Sequence, residues 1–82
     1  MSENEKTFET ADMYVAAAIC LMLKTKPAYN EEDGRVVFTF PLTPELNEAL
    51  NAFNGGAAIN AYRYQQTIKR LRAEIMKRRG GV

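Results

Sequence analysis

Eleven consecutive apolar residues, MYVAAAICLML from Met13 to Leu23, dominate a chain of only 82 residues. A helix that crosses a bilayer needs about 20 such residues. Lys24 and Lys26 close this run at once, so no membrane partner is expected. The run has no polar side, and as a helix it has to be covered on most of its surface. Its three successive alanines, Ala16 to Ala18, allow another element to approach closely. A chain this short buries only roughly 60–65% of the surface its unfolded form exposes. One wrapped helix is therefore expected to be the centre of the core. A single domain over 7–79 follows, with flexible tails at 1–6 and 80–82.

The rest of the chain supplies the wrapping. Lys6 to Glu9 reads as a short strand, since Thr7 and Phe8 favour extended backbone. Thr10 is the expected N-cap, with Asp12 in the first turn of a helix from about Ala11 to Leu23. Pro27 prevents its continuation. The stretch AYNEEDGRVVFTF then predicts a β-hairpin, with strands near Ala28–Asn30 and Arg35–Phe40 about an Asp33-Gly34 turn. Alternation puts Val36, Phe38 and Phe40 on the core face and Arg35, Val37 and Thr39 outside. A second helix starts at Thr43-Pro44-Glu45, with cap, first-turn proline and favourable charge in order. Leu46, Leu50 and Phe53 are its inward stripe, and Asn54-Gly55-Gly56 stops it. Asn60 caps a third helix, Ala61 to Arg78, with Tyr64, Ile68, Leu71 and Ile75 as its buried stripe. The fold class is α+β: a small antiparallel sheet packed against three helices, in the order β-α-β-β-α-α.

Little in this chain does chemistry. It has no histidine, so the usual general base near neutral pH is missing. Its one cysteine, Cys20, lies inside the apolar run and reads as a small buried hydrophobe. Glu31, Glu32 and Asp33 are consecutive at a turn and read as a solvated cluster. Gly55-Gly56 lacks the spacing and the Lys-Ser/Thr of a nucleotide loop. The expectation is a non-enzyme without metal, cofactor or small-molecule substrate. The acidic, polar opening MSENEKTFET is not a secretory signal, and a cytoplasmic location is expected.

Charge placement says more than the net +1. Residues 1–59 hold nine acidic and four basic side chains, net −5; residues 60–82 hold seven basic and one acidic, net +6. On a helix, Arg63, Arg70 and Lys77 line one edge, Lys69 lies further round, and Arg78 and Arg79 end it. Arg63, Lys69, Arg70, Lys77 and Arg78 are the candidate contacts to a polyanion, nucleic acid first. Solubility and the helix dipole account for the same residues without any partner.

The TFET-D-Y-AAA opening, the VFTF strand, the FNGG close, the INAYRY restart and IKRLRAEI together resemble a known family. It consists of small single-domain proteins, common in bacteria, archaea and phages, classed only as a domain of unknown function. The resemblance covers about Lys6 to Ile75. It implies a compact α+β fold and a link to mobile elements, and it supplies no catalytic residues. RVVFTFPLTPELNEAL followed by a long helix also resembles ribbon-helix-helix DNA binders. That resemblance implies a dimer whose ribbon puts Arg35, Val37 and Thr39 into the major groove. A nucleic-acid-binding module, a homo-oligomerisation or protein-interaction module, and a ribbon-helix-helix regulator are thus the functional alternatives.

Overall fold

The computed structural model describes residues 6–80. In chain order they form β1 (Thr7–Thr10), α1 (Met13–Leu23), β2 (Ala28–Glu32), β3 (Arg35–Pro41), α2 (Pro44–Asn54) and α3 (Ala61–Gly80). The class is α+β, and the three strands make one antiparallel sheet in the order β1-β3-β2. Of the expected tails, 1–5 and 81–82 lie outside the described residues. The Lys6 carbonyl accepts from Leu42 N–H at 3.0 Å, and Gly80 ends α3.

Local chemistry explains the element ends, with one correction. Asp12, not Thr10, caps α1, accepting from the Tyr14 and Val15 N–H groups at 2.8 and 3.4 Å. Thr10 finishes β1, and its hydroxyl oxygen accepts from Asp12 N–H at 3.0 Å. A carboxylate beside helix N–H groups carries full charge, which favours it over a hydroxyl. Asp33 and Gly34 turn the hairpin with φ of +53° and +78°, the mirror-image turn that matches strand twist. Thr43 caps α2 at 3.1 Å with Pro44 in its first turn. Its far end is a Schellman close: Gly56 takes φ of +90°, Ala57 N–H donates to Ala52 O, and Gly56 N–H to Phe53 O.

The core forms around α1. Ala16, Ala17 and Ile19 pack with Phe38 and Phe40 of β3, Leu46 of α2 and Leu71 of α3. The alanines are almost fully buried, so the neighbouring elements approach the α1 backbone closely. Burial of a Phe or Leu side chain contributes about 1.5–3 kcal/mol.

Two expected burial patterns change. Phe38 and Phe40 face the helices as expected, but Val37, on the other face, is only 7% exposed. Val37 is not among the residues of the core cluster around α1. β3 is the central strand, and Asn30, the partner of Val37 on β2, donates to Thr39 Oγ1 at 3.0 Å. On α3 only Leu71 of the expected stripe is fully buried; Tyr64, Ile68 and Ile75 are half-buried. Thr67 is buried beside them, its hydroxyl donating to Arg63 O at 2.9 Å.

Candidate polyanion-binding groove

Helix α3 lies along α1 and then reaches the hairpin. Its contacts progress along the chain. The Tyr64 hydroxyl donates to Tyr14 O at 2.9 Å, and Arg78 meets the Tyr29 ring of β2. Asn60 fixes the start of α3, accepting from Arg63 N–H at 2.9 Å. α1 ends abruptly: Lys24 turns left-handed at φ of +52°, and Thr25 N–H donates to Cys20 O at 3.2 Å. This reversal lays Thr25 and Lys26 beside α3.

A groove of about 450 Å³ opens between the two. Lys24 and Lys26 line it from the end of α1, and Arg63 and Arg70 from α3, with Gln66 and Thr67 between. Among the described residues, no carboxylate belongs to this lining. Cys20 forms part of the floor. Burial pushes its thiol up to about 11, against the lowering effect of Arg70 and of a backbone hydrogen bond. The thiol is consequently protonated near neutral pH and is a weak nucleophile.

The expected site residues separate into three groups. Arg63 and Arg70 meet in the groove. Lys69 and Lys77 are exposed on α3 and do not line it. Arg78 is taken up within the fold: its Nε lies 3.3 Å from Glu74 Oε2 and its guanidinium carbon 4.5 Å from the Tyr29 ring centroid. Among the described residues this is the one ion pair on α3.

Lys24 and Lys26 were absent from the sequence-derived set. Dividing charge by chain position hides them, because both fall in the acidic stretch 1–59. Only the α1 C-cap carries them across to α3. Pro27, which forces the chain out of the helix, is the sequence signal that points to it.

Among the described residues, no three His, Cys, Asp or Glu side chains gather as a metal ion would need. No described helix is long and apolar enough to cross a membrane. β3 has both edges paired within the chain. It therefore has no free edge for the intermolecular ribbon that the ribbon-helix-helix resemblance implied.

The model of the family described as Domain of unknown function (DUF5659) matches residues 5–77. The chain belongs to this family. The DUF5659 match runs from ahead of β1 to Lys77 in α3, and so includes both walls of the groove. No curated protein and no solved structure matches the chain.

Proposed function

We propose that this DUF5659 protein is a non-enzymatic binding module that contacts the phosphates of a nucleic acid. One observation carries the reading: four cationic side chains from two separate segments line a single groove whose lining, among the described residues, holds no carboxylate. Like charges gathered without counter-charge oppose the compact state, and a polyanion relieves that repulsion. Lys77 continues the line of positive charge beyond Arg70 along α3, while Lys69 sits to one side. Arg78 contributes less, because Glu74 and Tyr29 already engage it. A cytoplasmic location accords with the unpaired Cys20.

The deciding experiment is filter binding of DNA and RNA against salt concentration. Each phosphate neutralised contributes about −0.9 to the slope of log K on log salt on duplex DNA, or about −0.7 on a single strand. Absence of retention at low salt overturns the proposal.

A homodimer is the second reading. Tyr62 and Met76 are 70% and 65% exposed, and their spacing of fourteen residues (76 − 62) puts them near one face of α3. Sedimentation velocity at high micromolar concentration decides it: a monomer alone excludes this reading.

A further inference from the structure

The cationic groove does not end at Arg70. A second cavity of about 290 Å³ adjoins it, and Cys20, Thr25, Lys26, Thr67 and Arg70 line both. The two are one continuous trough with contrasting ends. At the Arg63 end the walls are cationic. At the other, Pro27 and Tyr29 form the walls, Leu71 lies in the floor, and Glu74, the one carboxylate among the described lining residues, is held by Arg78.

Each end has its own chemistry. Four cations with the Gln66 amide suit a phosphate. The last carbonyls of α1 bring about half a negative charge to the same place, which the full charges of Lys24 and Lys26 outweigh. The Pro27–Leu71 end suits a flat, weakly polar group. Tyr29 is a wall there and not an open stacking platform: one side of its ring meets Arg78, and it packs edge-on against Phe38 at 5.6 Å. Volumes of this order fall in the range of about 300–1,000 Å³ usual for small-molecule sites.

Shape then discriminates between forms of nucleic acid. The trough is concave and its floor includes the buried Thr67. A duplex presents phosphates on a convex, stiff surface with its bases stacked inside. A single strand can turn one phosphate and its base into the trough together. We infer that the trough takes one nucleotide unit of a single strand, the phosphate at Lys24, Lys26, Arg63 and Arg70 and the base beside Pro27, over the floor that Thr67 and Leu71 form. This rests on the phosphate-binding reading above and adds to it a preference for single strands.

The test uses the full chain and a fluorescein-labelled oligothymidylate, alone and annealed to oligodeoxyadenylate, followed by anisotropy. The single strand is expected to bind at least tenfold more tightly than the duplex. Lys26→Gln and Arg70→Gln are each expected to lower single-strand affinity severalfold, whereas Arg72→Gln, on the opposite side of α3, leaves it within twofold. Amide NMR signals of Thr25, Lys26, Thr67 and Leu71 should shift most on titration. Equal binding of duplex and single strand, or shifts spread along Lys69, Arg72 and Lys77, overturns the trough and leaves the phosphate-binding reading intact. If neither form binds at low salt, both readings fall.

Discussion

The guanidinium carbon of Arg78 lies 4.5 Å from the centroid of the Tyr29 ring, so the last turns of α3 are fastened to the hairpin. Glu74, one turn earlier, orients the same guanidinium at 3.3 Å, and Tyr29 passes the contact to Phe38 in the core. A double-mutant cycle with Tyr29→Leu and Arg78→Gln, read by urea unfolding, should give a coupling of about 0.5–1 kcal/mol. Additive effects would show that the stacking contributes nothing. The Glu74–Arg78 pair is partly open to solvent, and Glu74→Gln should cost no more than about 0.5 kcal/mol.

The two adjacent glycines after α2 should respond differently to alanine. Gly56 sits at φ of +90°, where an L side chain is strained although nothing lies within 4 Å of its Cβ position. Gly55 has φ of −86°, and a methyl there meets Asn51 O at 3.2 Å. Gly56→Ala should destabilise by about 1–2 kcal/mol. Gly55→Ala should cost less, because only a small shift of the neighbouring carbonyl is needed. Equal midpoints in urea for the two variants would contradict this account.

Stability should fall on the alkaline side. Burial raises the Cys20 thiol from 9.0 to about 11, so between those values the unfolded chain has lost a proton that the folded chain keeps. The unfolded state then binds fewer protons, and stability declines as pH rises. Tyr29 and Tyr64 are also raised above 10.0, burial being the first cause in each, with Glu74 next for Tyr29 and Asp12 next for Tyr64. They extend the decline in the same direction. A Tm series from pH 7 to 11 should drop from about pH 9, and Cys20→Ala should make the first part shallower. A Tm that holds or rises across this window would refute the assignment.

Replacing Arg63, Arg70 and Lys77 together by Gln should leave the fold intact. All three are exposed, and each such change usually costs less than about 0.5 kcal/mol. In filter binding the salt slope on duplex DNA should become shallower by about 0.9 for each phosphate that is no longer neutralised. An unchanged slope would remove α3 from the interface.

The two faces of β3 should differ sharply in cost. Phe38 is fully buried in the core cluster, and Phe38→Ala should destabilise by about 3–5 kcal/mol. Val37 is nearly as well hidden from solvent but lies on the other face, outside the core cluster. Val37→Thr should therefore cost about 1 kcal/mol or less, within the range of strand propensities. Comparable destabilisation in the two variants would mean that Val37 is also part of a packed interior.

Where one short segment determines its own structure, the sequence was readable. Thr43-Pro44-Glu45 starts α2, Asp33-Gly34 turns the hairpin, and Asn54-Gly55-Gly56 ends α2, all as expected from local chemistry. Competition between neighbours was harder: Thr10 and Asp12 both suit a cap, and pairing of Thr10 with Phe38 in the sheet leaves the cap to Asp12. Properties set by distant neighbours were not readable. The meeting of Lys24 and Lys26 with Arg63 and Arg70 depends on α1 lying along α3. Arg78 carries charge like its neighbours in sequence, and only the fold shows it occupied by Tyr29 and Glu74.

The strand order β1-β3-β2 also has a meaning in time. β1 leaves the ribosome first, yet its sheet partner is β3, and even the nearest pair, Thr10 with Phe38, is 28 residues apart (38 − 10). β2 and β3, joined by a two-residue turn, can zip together as they emerge. Throughout synthesis of the hairpin, then, Phe8 and the apolar run of α1 wait without their cover. Until α2 and α3 pack on it, that run is the chain's longest uncovered apolar segment, and aggregation competes with folding there first.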